Sequence, residues 1–425
     1  MNTPHAANIR PAASVLVLRD GARGVEVLLM RRPERDNDFR SGACVFPGGV
    51  VDAGDSTMQR WCLGLDDAAA SRRLGLEQGG LDFFVAALRE CFEEVGLLYV
   101  CRPDGAALDA AALRALRAWR PRLHRGEATI AQLCETLDCR LDLRDTAYFA
   151  HWLTPVVRPK RFDTRFFVRL APPGQEAEPD FGEALELMWL TPAEALDPAR
   201  ALKLLNVTQR TLHELRGYAS AREAHAAAVA KGGVQRILPR PVRSADGRER
   251  FVIPGQPVYD EVEALDAEGR GHVAAELAAG EVTRLSPRLL RIAGVRRHAY
   301  LVGGGGEAAV IDADPDDAAQ WQALCAAAPT GVRWLLSLGD GPPGPAVKAQ
   351  WPGASAVAVA AWAGDTVLAL GADVHLRKPA PGGGLLLVED GIVIGGESVP
   401  RQHAGTAVWL AGARGFLQRI APRGT

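Results

Sequence analysis

Arg89-Glu90-Cys91-Phe92-Glu93-Glu94-Val95-Gly96 is the stretch that most limits what this chain can fold into. Helical periodicity from about Phe83 to Val95 puts Phe84, Leu88, Cys91, Phe92 and Val95 on one apolar stripe. Glu90, Glu93 and Glu94 share the opposite side at i, i+3 and i+4. Asp82 is the expected N-cap, and Gly96 stands where a left-handed residue ends a helix. By ordinary helix rules this patch is unfavourable. Like charges at i,i+4 repel by roughly 0.2–0.5 kcal/mol per pair, and the last turn of a helix prefers cations. A divalent cation removes both objections, because hard cations take oxygen ligands. A solvated acidic face is the plainer reading, and three glutamates alone do not decide between the two.

The upstream residues decide it. Phe46-Pro47-Gly48-Gly49 precedes Asp55 with five residues between Gly49 and the acid. Paired glycines let the backbone approach a metal or a phosphate closely. Together the pieces resemble the Nudix box: a glycine, five residues, an acid, then an Arg-Glu-x-x-Glu-Glu-x-Gly helix. Two departures stand out. The short gap before the arginine is expanded to Ser56–Leu88, with residues 56–82 as an insertion, and Asp55 replaces the usual glutamate. An insertion helix is expected between Leu63 and Leu76, and it either shapes access to the site or is a surface elaboration.

That resemblance implies an α+β fold, an α/β/α sandwich around a mixed sheet, and Mg²⁺ or Mn²⁺ held on a diphosphate. It makes Glu93 and Glu94 metal ligands and Glu90 a further ligand or the base. The Gly49 carbonyl completes the shell, and Arg89 orients the glutamates through an ion pair. Glu183 or Glu186 is a base candidate from a later loop, and the shorter Asp55 puts its contact to Arg89 in question.

Further features place the chain within that family. Ala13–Leu18 and Val25–Met30 are expected strands joined at Asp20-Gly21, and Ala43–Phe46 is a short strand. Ala106–Trp119 and Thr129–Leu137 are expected helices. Arg158, Lys160, Arg161 and Arg165 cluster ahead of a strand, Thr164–Leu170. They suit phosphate contacts, as do Gly48 and Arg40, although charged strand edges also serve solubility. Trp152-Leu153-Thr154-Pro155, Arg161-Phe162-Asp163-Thr164-Arg165-Phe166-Phe167, Trp189-Leu190-Thr191-Pro192, Pro254-Gly255 and Tyr259 look like the branch containing the peroxisomal coenzyme A diphosphatases. The resemblance covers roughly residues 10–263. Coenzyme A or an acyl-CoA is the leading substrate, with a nucleotide sugar or a dinucleotide behind it. Gly42 fits the coenzyme A motif ahead of the box, whereas Arg35 and Arg40 are out of register with its arginine.

Ala264–Ala279 is expected as a helical connector, over 264–281. After it, two short strands, a glycine turn (Gly303–Gly306) and Asp312 at a strand end look like the opening of an αββα metallo-β-lactamase fold. Leu338, Asp340, Pro342 and Pro343 stand where that family places His, His, Asp and His. Leu and Pro offer no lone pair, so no zinc site is expected. Glu397 replaces the bridging aspartate, and His375 and His403 lack a partner at ligand spacing. The domain, residues 282–425, closes on one amphipathic helix, Ala407–Ile420, and is expected to be a degenerate relative serving packing, dimerisation or a lid.

Composition limits the rest. The 425 residues, 48% hydrophobic, are enough for two domains. A net charge of −2 gives no basic field for nucleic acid. Seven cysteines without framework spacing indicate reduced thiols in a cytoplasmic protein, and no apolar run is long enough to cross a membrane. The expected partner is a small nucleoside-diphosphate substrate, with no nucleic acid or membrane, and a homodimer stays open. A non-catalytic Nudix-fold sensor is the rival of another class, and the three clustered acids argue against it.

Overall fold

The computed structural model describes residues 9–36, 40–180, 182–243, 250–256, 258–271, 273–274, 277–363, 366–378, 384–390, 392–394 and 408–409. It divides into two compact units, residues 1–154 with 158–237, and residues 155–157 with 238–425.

In the first unit the strands are β1 (Ile9–Gly21), β2 (Gly24–Arg31), β3 (Cys44–Val45), β4 (Gly48–Val50), β5 (Cys62–Leu63), β6 (Val100–Cys101), β7 (Arg140–Asp142), β8 (Ala147–Leu153), β9 (Arg161–Leu170), β10 (Glu186–Leu190) and β11 (Arg236–Ile237). The helices are α1 (Asp67–Leu74), α2 (Gly80–Val95), α3 (Ala110–His124), α4 (Ile130–Thr136), α5 (Pro192–Ala195), α6 (Asn206–Leu215) and α7 (Ala221–Ala230).

The main sheet runs β10-β2-β1-β9-β8-β11, with β3 on β2 and β4 on β1. It is mixed: β1 pairs antiparallel with β2 and parallel with β9, Ala13 opposite Arg165. Residues 12–18 of β1 are buried without a break, as a strand covered on both faces requires. On one face Ala13, Val15, Val17, Leu28, Met30 and Phe167 form a core with α2. The helix α7 crosses β1, β2, β8 and β9 on the other. The α+β fold is therefore a helix–sheet–helix sandwich. The hairpin turns two residues later than expected, at Ala22-Arg23, because Gly21 and Gly24 close the ladder and Gly24 takes φ +115°.

The insertion is part of this core. Met58, Trp61, Leu65, Ala70, Leu74 and Leu81 all join the cluster around α2. Its helix α1 is capped by Asp66 and ends on left-handed Gly75. A small sheet, β5-β7-β6, ties it to the chain after α4. A surface elaboration would leave these side chains in water.

The second unit contains β12 (Arg240–Val242), β13 (Arg250–Val252), α8 (Tyr259–Leu265), β14 (Val282–Ser286), β15 (Leu289–Ile292), β16 (Ala299–Gly304), β17 (Glu307–Ile311), α9 (Ala318–Ala327), β18 (Val332–Ser337), α10 (Pro345–Gln350), β19 (Ser355–Ala358), β20 (Val367–Leu370), β21 (Val374–Arg377), β22 (Leu385–Leu387), β23 (Ile392–Ile394) and β24 (Val408–Trp409). Sheets β14–β19 and β20–β24 share one core through Val302, Ile311, Leu370, Leu376 and Ile394. A second core, including Val310, Leu324, Leu335 and Val347, lies between the first sheet and the helices α9 and α10.

Three expectations change here. Residues 238–263 group with the second unit, because β12, β13 and α8 build a cluster from Val242, Val252, Val258, Tyr259 and Val262. The connector is not helical among its described residues beyond Leu265. Asp266 accepts from the N–H groups of Arg270 and Gly271, and Gly269 and Gly271 take φ +67° and +80°, which turns the chain instead. Of Ala407–Ile420 only Val408–Trp409 is described, and it is a strand paired with β23. Glu397 and His403 lie outside the described residues.

Candidate active site

The helix α2 starts three residues earlier than its periodicity suggests, and Asp82 lies inside its first turn rather than capping it. The caps come from α1. Asp67 accepts from the N–H groups of Gly79 and Leu81, at 3.1 and 3.0 Å, and the Ser71 hydroxyl accepts from Gly80 at 2.9 Å. Those bonds hold the Asp67 carboxyl below its ordinary pKa, Leu81 N–H first. Side-chain bulk at Gly80 would strike the Ser71 backbone within 2.4 Å. At the other end Gly96 takes φ +76° and donates to Phe92. Arg120, from α3, donates to the carbonyls of Glu93 and Glu94 at 3.1 and 2.8 Å. This guanidinium supplies the cation that the helix terminus wants and that its own sequence withholds.

Between those ends, Arg89 gathers the acids. Its Nε and Nη2 donate to both oxygens of Asp55, at 2.9 and 3.1 Å, and Nη2 also reaches the Val50 carbonyl. Nη1 donates to Glu90 at 2.9 Å and to Glu93 at 3.1 Å. Asp55 thus reaches Arg89 in spite of its shorter side chain. A 3-10 turn at Asp55–Thr57 brings its backbone close, and Asp55 is only 2% exposed.

Glu94 is likewise 2% exposed, so this part of the acidic patch is not a solvated face. One carboxylate oxygen accepts from Gly48 N–H at 2.7 Å, and the other is buried with no partner. Gly48 takes φ +155° against the backbone of Ala13 and Ser14. A Cβ on Gly49 would lie 2.4 Å from the Glu90 carboxyl, so the glycine pair and the glutamates occupy one space. Burial first, then the mutual repulsion of the acids, pushes the carboxyls upward, against the pull of Arg89 on Glu90 and Glu93. Glu90 reaches about 7 and Glu94 rises well above the ordinary range. The half-buried Glu183 is near enough for its charge to raise Glu90 and Glu94.

The expected site residues therefore separate into two groups. The structure brings Gly48, Gly49, Asp55, Arg89, Glu90, Glu93 and Glu94 together, with Glu183 at their edge. Glu186 instead pairs with Arg31 at the exposed start of β10. Arg165 is buried, bonded to Asp163 at 2.6 Å and stacked on Phe83. Phe83 precedes Glu90 by seven residues, about 10 Å of helix axis. Arg161 donates to the Thr154 carbonyl, and Arg40 lies over the Phe162 ring. Sequence reasoning missed Arg120, Asp67, Ser71 and Arg32, whose charge draws down the Glu94 carboxyl. No spacing rule connects them to α2.

A divalent cation fits this chemistry. Three carboxyls that resist ionisation in a buried cluster, one with an orphan oxygen, are stabilised by a positive ion. Among the described residues no three acidic, His or Cys side chains stand at ligand distance as they are, because Arg89 takes one oxygen each of Glu90 and Glu93.

The profile of the NUDT19 Nudix domain matches residues 78–206. The human acyl-coenzyme A diphosphatase NUDT19 is 28% identical over 323 residues, 66% of this chain and 83% of that protein. Its Gallus gallus counterpart is 29% identical over 315 residues, 61% of this chain and 82% of that one. The chain carries a Nudix hydrolase domain. It is a pyrophosphohydrolase of that family, whose members generally use divalent metal ions. Among solved structures, a Nudix hydrolase from Alicyclobacillus acidocaldarius is 25% identical at a TM-score of 0.41, covering 52% of this chain and 96% of that one. Among the described residues no helix is long and apolar enough to cross a membrane.

Proposed function

We propose that this Nudix hydrolase cleaves the diphosphate bridge of coenzyme A or an acyl-CoA with Mg²⁺ or Mn²⁺ bound. The supporting observation is Glu94: a buried carboxylate, one oxygen fixed by Gly48 N–H and the other without a partner, beside two more acids. Glu90, Glu93, Glu94 and the Gly49 carbonyl would hold the cation. When bound, it neutralises diphosphate charge and makes water a better nucleophile. If Glu90 stays off the ion it is instead the base, because burial raises its carboxyl to about 7 in the metal-free site. Glu183 is the alternative base, facing the same acids from its loop. Arg89 and Asp55 act as positioning residues, holding Glu90 and Glu93 through the bidentate pair. The substrate class follows the two NUDT19 relatives, which are named acyl-coenzyme A diphosphatases.

A nucleotide sugar or dinucleotide is the second reading, because Arg35 and Arg40 are both out of register with the arginine of the coenzyme A motif. We read the second unit as a metal-free, metallo-β-lactamase-like domain serving packing or dimerisation. Two sheets sharing one core, with helices on one outer side, support that reading. The test is to incubate the pure chain and Mg²⁺ with coenzyme A, acyl-CoA, nucleotide sugars and dinucleotides and to identify products by mass. Cleavage of coenzyme A to a 4′-phosphopantetheine and an adenosine bisphosphate, lost in Glu94→Gln, supports the proposal. Turnover confined to the other substrates, or binding without turnover, overturns it. Stoichiometric zinc in the purified protein would overturn the reading of the second unit.

A further inference from the structure

We propose that Cys134 and Cys139 are a modification site, an intramolecular disulfide formed on exposure to hydrogen peroxide. The turn that ends α4 builds the geometry. Leu137 N–H donates to Leu133, Asp138 takes φ +45°, and Cys139 N–H donates back to the Cys134 carbonyl at 3.0 Å. This is a Schellman ending, in which the residues at the two ends of the longer bond also bring their side chains together. The covalent arms on either side of that bond, about 2.4 and 1.5 Å, cap the Cα separation at about 7 Å even if collinear. Any bend brings it inside the range a disulfide spans. The two thiols are buried and close enough for each to shift the other's ionisation.

The surroundings distinguish the two sulfurs. Arg102 donates to the carbonyls of Leu137 and Asp138, and Arg140 to that of Cys139. The Cys134 thiol first, and then, against burial, these two cations, hold the Cys139 thiol below its ordinary pKa. The same interaction drives Cys134 up. Cys139 is therefore the nucleophile. Its thiolate attacks one peroxide oxygen, breaking the O–O bond and giving a sulfenic acid, while the departing hydroxide takes the released proton as water. Cys134, giving up its proton, then displaces hydroxide from the Cys139 sulfur. The two thiols lose two electrons and two protons, and one peroxide becomes two waters. Peroxide is little larger than water, so local fraying of the α4 end is enough to admit it. Cys62 and Cys101 do not pair with each other, because β7 separates their strands.

The full reduced chain, desalted and treated with a small excess of hydrogen peroxide, is alkylated in denaturant and mapped by mass. The expected result is a Cys134–Cys139 peptide lighter by two hydrogens and carrying no alkyl group, restored by dithiothreitol. The oxidised chain should melt about 4–8 °C higher, because the closed loop narrows the unfolded ensemble. In Cys134→Ser, Cys139 should stop at a sulfenic acid trapped by dimedone; in Cys139→Ser, Cys134 should stay a thiol. Two alkyl groups after peroxide, a link to Cys62 or Cys101, or a disulfide formed only in denaturant would each overturn the proposal. None of these readouts depends on the diphosphatase reaction.

Discussion

Glu94→Gln separates stability from function at this site. In the metal-free protein Glu94 is buried with one oxygen unpaired, and leaving such a buried polar group unsatisfied costs about 1–3 kcal/mol. Glutamine keeps an oxygen for Gly48 N–H and replaces the orphan oxygen with an amide nitrogen that lacks an acceptor, which returns part of the gain. The net expectation in EDTA at pH 8 is a stabilisation of about 1 kcal/mol, or roughly 2–4 °C in the midpoint of this unit. The sign of its pH dependence follows from linkage. The folded carboxyl binds its proton more tightly than the unfolded one, whose value is near 4.5. Wild type is therefore relatively stable below that value and loses this contribution as pH rises through the folded pKa. Glutamine does not titrate, so the gap opens with rising pH and closes near pH 5. Mn²⁺ reverses the order: wild type gains midpoint as the ion binds, and the variant loses most of that gain. Differential scanning calorimetry across pH, with EDTA or Mn²⁺, reads all of this. A gap independent of pH, or an undiminished Mn²⁺ shift in the variant, would refute the reasoning.

Gly49→Ala should leave the circular dichroism spectrum intact while lowering kcat at least tenfold, since the new Cβ would displace the Glu90 carboxyl. Apparent Mn²⁺ affinity, measured by titration calorimetry, should rise from pH 5.5 to 7.5, because ion and proton compete for Glu90, whose pKa is about 7. A flat profile counts against Glu90 as a ligand. Asp55→Asn should cost about 3 kcal/mol in urea unfolding by leaving the buried Arg89 guanidinium short of its bidentate partner. Asp67→Ala should cost about 1–2 kcal/mol at pH 7. Because the folded Asp67 pKa is depressed, that loss fades as pH falls below the ordinary carboxyl value and through the folded one; an equal loss at pH 2 would show that the cap acts by packing alone.

Local patterns carried much of this in the chain itself. The stripe Phe84, Leu88, Cys91, Phe92 and Val95 and the spacing Glu90, Glu93, Glu94 are consequences of 3.6 residues per turn, so α2 and its acids are legible without coordinates. The Thr129 and Thr191 capping boxes, and Gly96 at the end of α2, are equally short-range. The tertiary structure decided what those signals meet across long separations. That Arg120 would close α2, that Asp67 would open it, and that Gly48 N–H would hold Glu94 depends on packing between segments 12 to 46 residues apart. It also decided that Arg165 is stacked on Phe83, because strand alternation turns it toward the buried face of the sheet where α2 lies. A sequence states which groups a turn of helix carries; which of them lose their water is set only when the sheet and the insertion close over them.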